Sequence, residues 1–326
     1  MGLDIGTAAV KAVVLSPGRR RPRLAAAGIE PVRTDGTNDG PFQNDHGVVV
    51  EALGKLLESL RLEPQQVARL TTSVGGPNVS VAEFDMPQMS PRELRRAIPW
   101  EARKHLPDEG RVFDYEILDS RGQERARVML ASVPQIQLEE HLSVLSAVGL
   151  APERVEATPI ALSLACRGLM RGASPQACLL LDIGASGTTL VIGEEAGPFF
   201  CRSLDVSVGA PSLELALPDG SASEAPEGAG DPVLVQQARQ GEGPLLEELV
   251  LEVRRSMVFF GSHFVANTIE RVVLTGGGGM SDVLAETLAG QLGIPVTRFA
   301  YRGNDAVPRL DAQHAVAYGL AARLGR

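Results

Sequence analysis

The sequence predicts an α/β protein of two related lobes, with a small α+β insertion in the first. Three observations carry that expectation. The chain echoes itself: Leu3-Asp4-Ile5-Gly6-Thr7-Ala8-Ala9-Val10-Lys11-Ala12-Val13-Val14 aligns without gaps on Leu181-Asp182-Ile183-Gly184-Ala185-Ser186-Gly187-Thr188-Thr189-Leu190-Val191-Ile192. Each copy reads as strand, small-residue turn, strand, because Val10–Leu15 and Leu190–Gly193 have the length and β-branching of buried strands. Finally, 326 residues exceed one compact core at about 150 residues per domain.

The elements between the echoes follow from local chemistry. Arg19–Arg23 is a basic turn, Asp35–Gly47 a polar, Gly-rich loop, and Val48–Leu60 has helical spacing. Leu70–Val74 and Val79–Phe84 are strands around the turn Gly75-Gly76-Pro77-Asn78. Ser90, Pro91 and Glu93 set up a capping box with proline at the first helical position. That helix runs towards Leu106, bent at Pro99, with Leu94, Ile98, Ala102 and Leu106 on one face. Strands Phe113–Leu118 and Arg125–Val133 flank a turn at Ser120–Gly122, and a helix at Ile136–Val148 stops at Gly149. Residues 78–150 therefore read as the insertion, 1–77 with 151–177 as the first lobe, and 178–326 as the second. In the second lobe Asp219–Asp231 is a loose surface loop and Leu245–Phe264 a helix. Arg271–Thr275 is a strand running into Gly276-Gly277-Gly278-Gly279, Ser281–Leu292 a helix, and Ala312–Leu324 an amphipathic, alanine-rich helix.

Composition excludes several functions. Apolar residues are 44% and charged residues 22%, a globular balance. With 31 Lys and Arg against 40 Asp and Glu, the net charge is −9, which disfavours generic binding to phosphate backbones. Aromatics at 4% offer no base-stacking platform. Cys166, Cys178 and Cys201 make neither a disulfide framework nor a Cys-x-x-Cys site and read as small buried apolar groups, which fits a reducing cytosol. The five histidines lack metal-ligand spacing. No apolar run reaches the roughly 18 residues of a membrane span, and Met1-Gly2-Leu3-Asp4 lacks the basic start of a secretory signal. The myristoylation pattern fails at Gly6. The expectation is a cytoplasmic protein that reaches a membrane only through a partner.

The two Asp-Ile-Gly hairpins and the glycine run form a nucleotide-binding constellation. Phosphates need many backbone N–H donors at short range, and only glycine and small residues let the chain come that close. The candidates are Gly6, Thr7 and Ala8 in one turn, and Gly184, Ala185, Ser186, Gly187 and Thr188 in the other. Asp4 and Asp182 at the strand ends can hold Mg²⁺ through its waters. Lys11 reads either as a phosphate ligand or as a solvated strand-end lysine. Gly276, Gly277 and Gly278 open a strand–turn–helix unit suited to an adenosine. Neither a Walker A loop nor a dinucleotide fingerprint is present.

In this order and spacing the motifs resemble the actin-like ATPase superfamily, and the fold implied is actin-like (ribonuclease H-like), with an FtsA-like insertion in the first lobe. Within it, Gly2–Lys11, Met86–Leu94 through Ile98–Pro107, Phe113-Asp114-Tyr115, Val155–Leu162, Leu181–Ser186 and Leu274–Gly278 resemble the PilM family of type IV pilus assembly. That resemblance implies ATP and Mg²⁺ as cofactors, with weak or absent hydrolysis. It also implies a groove between the first lobe and the insertion that takes the cytoplasmic N-terminal segment of the inner-membrane protein PilN. Pilus motor ATPases and self-association are further implied contacts. Glu156 sits where the superfamily places the residue that orients water; taken alone it reads as a surface glutamate. The Ala-Glu-x-x-Lys motif expected before the long second-lobe helix is absent from Val235–Gly241. Two other readings compete: a GspL-like type II secretion scaffold with a vestigial nucleotide site, and a small-molecule kinase. Trp100 reads as core or groove lining. Arg92, Arg95, Arg96, Arg103 and Lys104 make one helix face basic, either simply solvated or turned to an acidic partner or anionic lipid.

Overall fold

The computed structural model describes residues 1–18, 22–32, 46–106, 109–119, 125–170, 177–194, 197–208, 233–241, 243–263, 269–301 and 310–323. The expected turns at 19–21 and 120–122, the loop at 219–231, most of that at 35–47 and the last residue of the tail helix lie outside them. The first lobe opens with β1 (Gly2–Ile5), β2 (Ala9–Ser16), β3 (Arg23–Pro31), α1 (His46–Ser59) and β4 (Thr71–Val74). There follow β5 (Ser80–Pro87), α2 (Pro91–Ala102), β6 (Arg111–Asp119), β7 (Arg125–Pro134), α3 (Gln135–Ala147), β8 (Arg154–Ala157) and α4 (Thr158–Met170). The second lobe contains β9 (Ala177–Ile183), β10 (Thr188–Glu194), β11 (Gly197–Leu204), α5 (Val233–Gln240) and α6 (Pro244–His263). It ends with β12 (Ile269–Thr275), α7 (Asp282–Leu292), β13 (Val296–Arg298) and α8 (Ala315–Arg323).

The internal echo is structural. One sheet runs β3-β2-β1-β4-β8 and the other β11-β10-β9-β12-β13, the same order in each lobe. Register matches too: Asp4 pairs with Lys11, and Asp182 with Thr189. Both turns close alike, Gly6 N–H donating to the Ala9 carbonyl at 3.0 Å and Gly184 N–H to the Gly187 carbonyl at 2.9 Å.

Two helices join the lobes. Ala161, Leu162 and Ala165 of α4 and Ala317, Leu320 and Ala321 of α8 share one buried core with Val13 of the first sheet and Leu180, Val191 and Val273 of the second. Small residues make the approach possible: a Cβ at Gly319 would collide with the Ala161 carbonyl, and one at Gly2 with Ala317 and Ala321. This corrects the expected amphipathic tail. A 3₁₀ turn at Ala312–His314 precedes α8, and nearly every α8 residue is buried between sheets, so the helix has no broad polar face.

Within residues 78–150 the elements pack in two directions. The sheet β5-β7-β6 carries α2 through Leu94, Ile98 and Ala102. α3 instead packs Val144 and Leu145 against Leu53 and Leu56 in the first lobe's core. The capping box at α2 forms as expected: Ser90 N–H donates to Glu93 Oε2 at 2.9 Å, and Glu93 N–H to Ser90 Oγ at 3.3 Å. α2 ends at Ala102, short of Leu106. Trp100 contradicts its reading as core; it is 71% exposed, because it lies on the side of α2 away from Ile98. Burial raises the Cys178 thiol to about 11 and the Cys201 thiol to about 12, so both are inert apolar groups. No helix among the described residues is long and apolar enough to cross a membrane.

Candidate functional site

The two hairpin turns face each other across an interlobe cleft of about 910 Å³. Asp4, Gly6, Thr7, Ala8 and Lys11 line it from the first lobe. Asp182, Gly184, Ala185, Ser186, Gly187, Thr188, Gly276 and Gly277 line it from the second. The turns touch, Thr7 Oγ1 donating to Ser186 Oγ at 3.1 Å. The N–H groups of Ala8, Ala185 and Ser186 donate to no other backbone group among the described residues, so they are available to an anion.

Charge is concentrated at the strand ends. Lys11 Nζ donates to Asp4 Oδ2 at 2.9 Å, with both side chains largely buried. Lys11 is therefore not a solvated lysine. Burial alone lowers its tendency to hold a proton, but Asp4, by charge and hydrogen bond, with Asp182 and Asp311 by charge, reverses this and holds it above the ordinary value. Asp182 is partly buried at the cleft wall, and desolvation there raises its carboxyl. The Thr275 hydroxyl, donating at 2.7 Å, and Lys11 oppose the rise, while Asp4 adds to it. Asp182 thus has one oxygen bonded and one without a hydrogen-bond partner among the described residues. No group of three His, Cys, Asp or Glu side chains among the described residues could hold a metal ion. A cation here has to be held through water and through a ligand's own oxygens.

The glycine run has two roles. Gly276 sits at φ +74° after β12 and donates its N–H to the Ala312 carbonyl at 2.9 Å. A Cβ there would meet the Ile183 carbonyl at 2.6 Å and Asp182 Oδ1 at 2.9 Å, so only glycine keeps the turn against the Asp182 strand. Gly278, expected to contact ligand, does not line the cleft. It is buried, and a Cβ on it would meet Ile183 at 2.7 Å. Its missing side chain lets the β12 turn pack on β9.

Glu156 also lies away from the cleft lining. Nor is it an exposed surface residue: Arg323 Nε of α8 holds its Oε1 at 3.2 Å, and the side chain is 12% exposed. Burial raises its carboxyl despite Arg323 and Arg154.

Several further cleft residues lie outside the glycine turns. Thr158 opens α4, and Ser73, on β4, has a buried hydroxyl without a hydrogen-bond partner among the described residues. Gln137 donates to the Gly75 carbonyl at 2.9 Å. His141 shares a 2.9 Å hydrogen bond with Thr72 Oγ1, and burial, opposed by Asp4, lowers its imidazole to about 4, so it is neutral at physiological pH. These side chains meet only once β4 and α3 pack, which no local motif announces.

The family model described as type IV pilus assembly protein PilM matches residues 2–209. The chain is similar to a solved structure titled as a PilM–PilN type IV pilus biogenesis complex. That match has 27% identity and a TM-score of 0.76, covering 100% of this chain and 98% of the other. Weaker similarity extends to the ethanolamine utilization protein EutJ from Carboxydothermus hydrogenoformans, at 16% identity and TM-score 0.49, covering 98% of this chain and 88% of the other. The cytoplasmic domain of EpsL, an inner-membrane component of the type II secretion system of Vibrio cholerae, matches at 12% identity and TM-score 0.45, covering 98% and 93%. Twin sheets of one strand order, facing Asp-Ile-Gly turns, an inserted three-stranded sheet and a family match across most of the chain lead to one conclusion. This protein, built on the actin-like ATPase fold, belongs to the PilM family of type IV pilus assembly proteins.

Proposed function

We propose that the chain is a nucleotide-binding scaffold of type IV pilus assembly. It holds Mg·ATP between its lobes and docks the cytoplasmic N-terminal segment of an inner-membrane PilN protein. The observation that carries this reading is the full-length match to a structure titled as a PilM–PilN complex.

The cleft residues fit the nucleotide. Asp182 offers a free carboxylate oxygen to a magnesium-bound water, and Asp4 stands beside it in charge contact. The open N–H groups of Ala8, Ala185 and Ser186 suit phosphate oxygens. Lys11 adds a fixed positive charge already balanced by Asp4. Bound magnesium would offset the phosphate charge that these acidic strand ends otherwise repel. Turnover is slow in this account. A general base must come within hydrogen-bond reach of its water, and Glu156 is tied to Arg323 outside the cleft.

The peptide site we place at the base of the insertion. Val112 at the start of β6 is 39% exposed and Ile136 at the start of α3 is 63% exposed. The hydrogen bond from Gln135 N–H to the Gly110 carbonyl, 3.0 Å, brings these segments together. Two exposed apolar side chains at a subdomain junction suit the apolar residues of an extended peptide.

The test is anisotropy of a labelled PilN N-terminal peptide, with and without Mg·ATP. Binding to the wild-type chain and at least a tenfold loss in Ile136→Glu is the expected result. Equal affinity for both proteins moves the peptide site elsewhere.

A further inference from the structure

The outward side of α2 carries a feature that neither the cleft nor the insertion base uses. Leu94, Ile98 and Ala102 seat the helix on its sheet. Arg92, Arg96, Trp100 and Arg103 fall at i, i+4, i+8 and i+11, so they form one ridge on the opposite side. Trp100, the chain's only tryptophan, stands 71% exposed at the centre of this ridge. The Arg103 guanidinium lies 5.0 Å from its ring centroid. The nearby acidic residues are engaged elsewhere: Glu93 caps the helix, and Glu101 pairs with Lys104 at 2.8 Å and with His105 at 3.8 Å. Arg92, Arg95, Arg96 and Arg103 make no ion pair among the described residues. Four guanidiniums without an ion pair among the described residues therefore lie on one exposed helix, α2, with one of them, Arg103, against its exposed aromatic ring, on a chain whose net charge is −9.

We infer that this ridge docks on an anionic lipid surface, with the Trp100 ring in the interfacial layer and the arginines on headgroup phosphates. Charge complementarity selects an anionic partner. Shape favours the bilayer: the ridge is the convex side of a helix with a protruding indole, Trp100 being 71% exposed. A headgroup layer deforms around such a ring, and tryptophan with arginine is the pairing that suits that layer. The inference does not depend on nucleotide binding or on the peptide site.

The experiment titrates the full chain with vesicles of phosphatidylglycerol and phosphatidylcholine. Because Trp100 is the sole tryptophan, its emission reports the ridge alone. The expected result is a blue shift and co-sedimentation with anionic vesicles, absent with pure phosphatidylcholine and reversed at about 0.5 M salt, where screening acts within a few Å. Arg96→Ala and Arg103→Ala each weaken binding about fivefold. Trp100→Ala weakens sedimentation while leaving the melting temperature unchanged, since the side chain is exposed. Unshifted emission with anionic vesicles overturns the proposal. So does full vesicle binding by the Arg96→Ala/Arg103→Ala double variant. A shift produced by an Asp- and Glu-rich peptide but not by vesicles also overturns it and assigns the ridge to an acidic protein.

Discussion

Thr7 and Ser186, 179 positions apart in sequence, meet hydroxyl to hydroxyl at 3.1 Å across the cleft. They sit in the turns of the two echoed hairpins, so the contact joins the lobes where a phosphate chain would lie. The bond is exposed and contributes at most about 1 kcal/mol; the lobes are held instead by α4 and α8. Ser186→Ala is therefore expected to leave the melting temperature of the free protein within about 2 °C of wild type. Mg·ATP affinity should fall several-fold as the Ser186 hydroxyl, a side-chain donor in the phosphate-facing turn, is lost while its N–H is kept. Thermal scans with and without nucleotide check both parts. A large drop for the free protein would mean the turns themselves hold the lobes together.

Asp182 links stability to function with opposite signs. Burial raises its folded-state carboxyl above the unfolded value. The folded state then binds the proton more tightly, so stability falls as pH rises above the unfolded value of 3.8. At neutral pH the charged group is a cost to the free fold. Asp182→Asn should melt higher than wild type without ligand, yet lose the stabilisation that Mg·ATP gives the wild type. Differential scanning fluorimetry at pH 7.5 measures both.

Lys11 and Asp4 form a pair with 14% and 13% side-chain exposure. Removing one partner strands a shielded charge, which costs on the order of 3 kcal/mol. Lys11→Met should lower unfolding free energy by about that amount in urea titrations, and Lys11→Met/Asp4→Leu should recover most of it. If the single variant is as stable as wild type, the pair is better solvated than its geometry implies.

Glu83 gives the chain a pH dependence near neutrality. It lies on β5, which packs beside β11 of the second lobe, where Cys201 Sγ approaches the Val81 carbonyl at 3.6 Å. Burial raises its carboxyl to about 7; Arg127 at 3.8 Å opposes this and Asp85 adds to it. One carboxylate oxygen is buried without a partner. Between the unfolded value of 4.5 and about 7, the folded state holds more protons, so stability declines as pH rises through that window. Glu83→Gln should flatten that decline and raise the melting temperature at pH 8. An unchanged slope would assign the effect to another group.

The parts legible in sequence are those whose causes are local. The ungapped echo contained the register of both hairpins, because Asp4 opposite Lys11 and Asp182 opposite Thr189 follow from one shared turn length. The capping box at Ser90 and the buried stripe of α2 are equally local. What escaped depends on packing between distant segments. Trp100 reads in sequence as core or groove lining, yet it stands 71% exposed on the outer side of α2, with the Arg103 guanidinium over its ring. Gly278 looked like a ligand contact, but Ile183, far away in sequence, requires the absent side chain. Glu156 occupied a family position whose use is decided by Arg323 at the other end of the chain. His141 joined the cleft only because α3 packs on the first lobe rather than within the insertion.

The central claim is a live Mg·ATP site between the two Asp-Ile-Gly turns, and calorimetric titration of Mg·ATP into the full chain tests it most directly. The account predicts micromolar binding, roughly −8 kcal/mol, that disappears in Asp182→Asn while that variant remains folded. No heat of binding to folded wild-type protein, or equal binding by the variant, would contradict it.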